Sequence, residues 1–181
     1  AYQIALKLLG WETYTYRNAD RIVPKYEAAA RLVRKSGYGG KVRVIYNQIF
    51  LEKFVDLKPR MATGERLKII NVGRQFAGKD QRPLIEALAE IDAELTLVGT
   101  GPMRGQLERV AARSGVAGRV TFIDSVPNHE LPGVFVGHHV FAINISQPGV
   151  CMPVMEAMAL GLPVVINRPR WDAEPEVCGG C

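Results

Sequence analysis

Between residues 67 and 166 the apolar positions fall into five short runs, 67–72, 95–98, 120–123, 140–143 and 164–166. Each is too short for a buried helix and is bounded by glycine, proline or polar residues, so each is expected to be a strand covered on both faces. The stretches between them show helical spacing instead, and helices are predicted over 83–91, 103–114, 130–136 and 152–160. Strand and helix alternating at this interval imply right-handed crossovers and a parallel, doubly wound α/β sheet. A sheet of that kind takes its ligands beyond the carboxyl ends of its strands.

Residues 1–56 carry a different pattern. Ile4, Ala5, Leu8 and Leu9 share one side of a helix that runs on through Tyr16. A strand over 21–23, a helix over 25–35 and a strand over 42–46 are expected next. The polar stretch 56–66, with Pro59 and Gly64, has the composition of a linker. Two domains are therefore predicted: 1–56, the end of one unit, and 57–181, a ligand-binding unit. A chain that opens inside a helix is expected to be a fragment.

Charge sharpens this division. Of the 181 residues, the first 60 hold 12 Lys and Arg against 5 Asp and Glu, or +7, and the remaining 121 hold 11 against 13, or −2. The basic part has no stacking aromatic motif or DNA-reading helix, so nucleic acid is not the expected partner. An anionic membrane surface touched by basic residues 1–60, or plain solvation, fits better. No apolar run is long enough to span a bilayer and no signal-peptide pattern opens the chain, so a cytoplasmic location, peripheral at the membrane, is expected.

Three cysteines make no disulfide framework, and Cys178-Gly-Gly-Cys181 lacks the second ligand pair of a zinc site. His129, His138 and His139 are expected at the surface, the adjacent pair pointing to opposite faces before a strand. No metal is predicted.

Three stretches carry candidate chemistry. Val72-Gly73-Arg74 ends the first strand of the regular region, and Lys79 follows in the same loop. Two cations and a glycine there suit a diphosphate, although an ordinary solvated loop has the same composition. Gly99-Thr-Gly101-Pro-Met-Arg-Gly105 follows a strand and opens a helix, with Arg104 where a dinucleotide fingerprint wants its third glycine. Glycines for a tight turn explain it equally well. Finally, Glu156 is the single charged residue in "GVCMPVMEAMALGLPVVIN". It is expected early in a helix that Pro153 starts and Gly161 ends. It either accepts hydrogen bonds from vicinal ribose hydroxyls or is a first-turn acid stabilised by the helix dipole.

Taken together, "NADRIV…KVRVIYNQIFLEKF", "IINVGRQFAGKDQRPLIEALA", "LTLVGTGPMRGQLERVAARSGVAGRVTFIDSVPNHEL", "PGVCMPVMEAMALGLPVV" and "PEVCGGC" resemble, in order and spacing, the retaining glycosyltransferases of family 4 (group 1), whose fold is GT-B. The resemblance implies a Rossmann-like C-terminal half that holds a nucleotide-sugar donor, preceded by the end of the acceptor domain. It implies a donor diphosphate on Gly73, Arg74 and Lys79 and on backbone at Gly149, Val150, Cys151 and Met152. It also implies the ribose on Glu156 and the nucleobase on backbone at Asp124 and Val126. No cofactor or metal is implied, because cations and helix amides supply the electrostatics.

A sugar, lipid-linked or polysaccharide acceptor is implied as well. The acceptor-side catalytic residues would lie outside this chain, which alone is then expected to bind donor without transferring sugar. Three positions depart from the family pattern. The first glutamate of its Glu-x7-Glu motif falls on Pro148, a usual glycine on Cys151, and a usual Asn-Gly-Val on Asn47-Gln48-Ile49. Pro148 leaves open a non-catalytic nucleotide-sugar binding module. The glycine motif leaves open a dinucleotide-dependent oxidoreductase domain.

Overall fold

The structure is a computed structural model and describes residues 10–54, 56–59, 64, 66–145 and 151–167. The chain divides into two compact units, one ending at Gln48 and the other beginning at Ile49.

In the second unit, five parallel strands form one sheet: β1 Leu67–Val72, β2 Ala93–Val98, β3 Val120–Ile123, β4 Val140–Ile143 and β5 Val164–Ile166. Their order is β3-β2-β1-β4-β5. The chain thus runs outward from β1 through β2 to β3, then returns to lay β4 on the other side of β1. Four helices connect them: α3 Arg82–Ala87, α4 Arg104–Arg113, α5 Leu131–Val136 and α6 Met152–Ala159.

Side-chain alternation splits the core into two layers. On one face Leu67, Ile69, Ala93, Leu95 and Leu97 pack with Ile85 of α3 and Leu107, Val110 and Ala111 of α4. On the other, Ile70, Val72, Val98, Phe141 and Ile143 pack with Phe135 of α5 and Val154 and Ala157 of α6. Ile49, Phe54 and Leu57 join this second layer. The one polar side chain within β1's buried half, Asn71, is satisfied by donating from Nδ2 to Ala142 O at 2.7 Å. This is the doubly wound sheet expected from the pattern.

Helix ends follow capping chemistry. Gly161 takes φ 72°, with Gly161 N donating to Met158 O and Leu162 N to Ala157 O. Gly115, at φ 67°, ends α4 through the same pair of bonds, to Ala112 O and from Val116 N to Ala111 O. Both are Schellman caps, which satisfy carbonyls that a helix end leaves bare.

In the first unit, α1 Trp11–Asn18 and α2 Glu27–Val33 match expected helices, and α2 continues into a wide turn, Arg34–Tyr38, broken by Gly37 at φ 88°. Lys41 Nζ donates to Arg17 O and Ala19 O, each at 2.8 Å, and so collects carbonyls at the end of α1. The strands expected over 21–23 and 42–46 do not form. Only a parallel bridge, Ile22 to Val42, is made, with flanking bonds from Arg43 N to Ile22 O and Ile45 N to Pro24 O. Pro24 has no N–H to extend the ladder, and a lone pair of short strands is marginal.

His129 is exposed, as expected, but His138 and His139 are not surface residues. His139 is 5% exposed, and its Nδ1 accepts from Lys68 N at 3.0 Å. His138 is half-buried between Val134 O (2.8 Å from Nδ1) and Thr96 Oγ1 (2.9 Å from Nε2). Val134 O can only accept, so Nδ1 carries the proton and Nε2 accepts from Thr96. Burial, which outweighs the bond to Val134 O, holds His138 below the usual histidine range.

Candidate donor-binding site

The strand order sets where a ligand fits. Successive connections leave β1 in one direction and return to β4 in the other, so a crevice opens between the loops that follow β1 and β4. Gly73, Arg74 and Lys79 lie in the first loop, and Cys151 and Met152 stand at the start of α6, in the second connection. The two meet: Lys79 Nζ lies 3.0 Å from Cys151 Sγ. They are also tied by Asn144 Nδ2, which donates to Asp80 O at 3.0 Å.

The Lys79 side chain passes close over Gly73, where a Cβ would stand 3.3 Å from both its Cδ and its Nζ. The Arg74 side chain is exposed and has no ion-pair or hydrogen-bond partner among the described residues. Neither cation is neutralised by a carboxylate within the described residues, and both remain available to an anion.

The start of α6 adds donors. Val154 N turns back to Cys151 O at 2.9 Å, and Pro153 has no N–H. The backbone N–H groups of Cys151 and Met152 are left without a partner among the described residues, at the positive end of an eight-residue helix. Gly149 and Val150 lie outside the described residues, as do Pro148 and the Cys178–Cys181 pair.

Glu156 sits in the second turn of α6, since the helix begins at Met152 and its first turn holds no acid. This removes the first-turn reading, because the dipole's influence falls off within that turn. The carboxylate has no hydrogen-bond or ion-pair partner among the described residues. Burial pushes its pKa up, and the charge of Lys53 opposes the shift. A half-buried carboxylate without a donor is suited to ligand hydroxyls.

Two buried glutamines that sequence reasoning passed over hold the first loop. Gln75, 1% exposed, receives Met103 N at its carbonyl (3.1 Å), donates its own N–H to Thr100 O (2.9 Å) and its Nε2 to Gly99 O (2.6 Å). Gln81, 2% exposed, sets Nε2 at 3.4 Å from Arg74 O. Their signal was visible only as polar residues in a loop. The loop after β2 therefore lies directly against the loop after β1. A Cβ on Gly99 would stand 2.3 Å from Gly73 O, and one on Gly101 2.2 Å from Gln75 O. Close approach explains the first two glycines of the motif, Gly99 and Gly101, without a dinucleotide.

Arg104 has its own assignment. Its guanidinium stacks 4.3 Å from the centre of the Phe122 ring and bonds Glu108 Oε1 (2.6 Å) and Asp124 Oδ1 (2.7 Å). The network fixes the turn at the carboxyl end of β3, where Asp124 and Val126 lie. Asp124 thus spends one side-chain oxygen on Arg104.

A separate hollow of about 410 Å³ lies near the amino ends of the strands, lined by Lys68, Glu94, Thr96, Arg119, Thr121 and His138. It is at the wrong end of the sheet for the expected ligand. The described residues hold no cluster of three or more His, Cys, Asp or Glu able to bind a metal. No described helix is long and apolar enough to cross a membrane.

The fold and this crevice define a Rossmann-like domain of the GT-B type. Residues 66–178 match the family described as Glycosyl transferases group 1, and the chain belongs to that family. It is 34% identical over 124 residues, 62% of this chain and 32% of the relative, to the GDP-mannose-dependent alpha-(1-6)-phosphatidylinositol monomannoside mannosyltransferase of Mycolicibacterium smegmatis. It is 30% identical over 166 residues, 86% of this chain and 47% of the relative, to the lipopolysaccharide core biosynthesis glycosyltransferase LpsE of Rhizobium meliloti. Sucrose-phosphate synthase from Thermosynechococcus elongatus has the same fold, with a TM-score of 0.74 at 22% identity over 86% of this chain and 42% of that one. The chain thus spans from about a third to about half of the length of these relatives.

Proposed function

We propose that the chain is the donor-binding half of a glycosyltransferase that moves a hexosyl group from a nucleotide sugar to an acceptor with retention of configuration. The observation that carries this is the pairing of Lys79 with the start of α6 at 3.0 Å, which gathers cations and free amides at the crevice beside β1. Arg74, Lys79 and the amides of Cys151 and Met152 hold the diphosphate. Glu156 accepts from the ribose hydroxyls, and backbone at Asp124 and Val126 meets the base.

These groups stabilise the negative charge that builds on the diphosphate as the glycosidic bond breaks, so the reading requires no metal. The acceptor is a sugar, a lipid-linked sugar or a polysaccharide. Relatives named for phosphatidylinositol mannoside and lipopolysaccharide chemistry favour one at a membrane. The basic segment 1–60 would then touch anionic lipid from the cytoplasmic side.

Calorimetric titration of the chain with UDP, GDP, ADP and NAD tests the reading. A nucleoside diphosphate should bind and NAD should not. Binding of NAD in preference to every nucleoside diphosphate would overturn it.

A further inference from the structure

The peptide unit that joins Arg74 to Gln75 is held at both of its poles. Its N–H, from Gln75, donates to Thr100 O at 2.9 Å, and its carbonyl, from Arg74, receives Gln81 Nε2 at 3.4 Å. Arg74 O can only accept, so the group that faces it is the amide nitrogen. Gln81 is itself anchored immediately before α3, where Leu84 N and Ile85 N donate to its carbonyl at 3.1 and 3.3 Å. The Arg74 side chain beyond this peptide is exposed, without an ion-pair or hydrogen-bond partner among the described residues. Where its guanidinium points is therefore set by its backbone.

Gln81 does not hold this peptide for the sake of stability. It is 2% exposed, and its Oε1 is buried without a hydrogen-bond partner among the described residues. An apolar side chain of the same length would fill the space and strand no acceptor. What glutamine adds, and methionine cannot, is the donor to Arg74 O.

We propose that Gln81 is a positioning residue for the donor diphosphate, acting through the Arg74 peptide to aim the arginine. This rests on the donor-binding reading above. With its carbonyl end released, the peptide can turn about the remaining bond to Thr100 O, and the guanidinium spreads over more directions. Binding must then impose the order that Gln81 supplies in advance. A nucleoside, which lacks the phosphates, does not meet Arg74 and is indifferent to the change.

The experiment uses the chain with Gln81→Met, which keeps the length of the side chain and removes the donor. Urea unfolding followed by circular dichroism should place its midpoint at or above the parent's. Calorimetric titration should show UDP and GDP bound about three- to tenfold more weakly, as expected for one neutral hydrogen bond, with uridine and guanosine unchanged. On an Arg74→Ala background the same substitution should change UDP and GDP affinity by less than about twofold, while on a Lys79→Ala background the full loss should persist.

Unchanged binding of UDP and GDP by Gln81→Met overturns the positioning role alone. So does an equal loss for nucleoside and diphosphate, or a loss undiminished without Arg74. A Gln81→Met chain less stable than the parent overturns it too, since Gln81 would then be kept for the fold. Failure of the parent to bind any nucleoside diphosphate overturns the donor-site reading, and this role with it.

Discussion

The three glycines of Gly99-Thr-Gly101-Pro-Met-Arg-Gly105 look alike in the sequence and should respond very differently to alanine. A Cβ on Gly101 would lie 2.2, 2.7 and 2.8 Å from the O, C and N of Gln75, all backbone atoms. Ordinary contact is reached near 3.5 Å, so the two loops must part by about 1 Å. That movement breaks the bonds from Gln75 N to Thr100 O and from Met103 N to Gln75 O. Each is worth about 1 kcal/mol net, and a buried group left unpaired costs about 1–3 kcal/mol more. Gly101→Ala should therefore destabilise the second unit by roughly 3–5 kcal/mol by the same figures. Gly99→Ala should do at least as much, because its φ of 132° disfavours any side chain.

At Gly105 a Cβ meets only Arg109 Nη1, at 3.6 Å, and the residue lies within α4. Alanine there should stabilise by up to about 1 kcal/mol. Urea unfolding followed by circular dichroism measures all three. Because the loops carry Gly73 and Arg74, the first two variants should also lose nucleotide affinity in proportion to the population still folded. A Gly101→Ala protein within 1 kcal/mol of the parent by the ~3–5 kcal/mol argument above would refute the close-approach account.

Other expectations follow from the same geometry. Alanine at Arg74 or Lys79 should weaken a nucleoside diphosphate by about 1.5–3 kcal/mol each and the nucleoside hardly at all; equal losses would remove phosphate from that loop. Glu156→Gln should erase most of the preference for ribose over 2′-deoxyribose, and an unchanged preference by calorimetry would leave Glu156 structural. His138 is held below its unfolded value, so the folded state binds fewer protons and stability should fall as the pH drops through and below about 6.5. His138→Gln should flatten the urea midpoint between pH 7.5 and 5.5, and a slope equal to the parent's would dissociate His138 from it.

The sheet was legible because burial on both faces forces continuous apolar runs, and four of the five strands match them to the residue. The second extends two residues further back, through Ala93 and Glu94, because these pair with Leu67 and Lys68 of β1 and Ala93 is fully buried in the core. Helix ends were less legible: α3 stops at Ala87 rather than 91, since nothing marks where its last turn loosens. The first unit was misread where strand propensity in Val42-Arg-Val-Ile-Tyr46 had no partner ladder to realise it. At the site, Gly73, Lys79 and Glu156 could be named from residue type and position. Gln75 and Gln81 could not, because their role depends on which loop lies beside them, and only strand order decides that. His139 escaped for the same reason: its Nδ1 completes the β1–β4 edge at Lys68 N, a contact between residues 71 apart in sequence.

Glu156 shows how the fold and the proposed activity oppose each other. A residue kept for stability at this point of α6 would be apolar or would find a donor, and Glu156 has neither advantage. Its pKa is raised by burial, so the folded state holds a proton more tightly than the unfolded chain does. By linkage the penalty is absent below the unfolded value near 4.5, grows as pH rises through the window up to the folded value, and is full above it. Glutamine abolishes this dependence, so Glu156→Gln should match the parent's stability at pH 4 and exceed it at pH 7.5. A ribose ligand predicts that the stabilised variant binds nucleotide more weakly. A merely tolerated surface carboxylate predicts a gain in stability with binding unchanged. Urea unfolding at both pH values, with nucleotide titration of the same two proteins, separates these outcomes. A parent more stable than Glu156→Gln at pH 7.5 would contradict the burial argument itself, since it would require the carboxylate to be favourably paired in the fold.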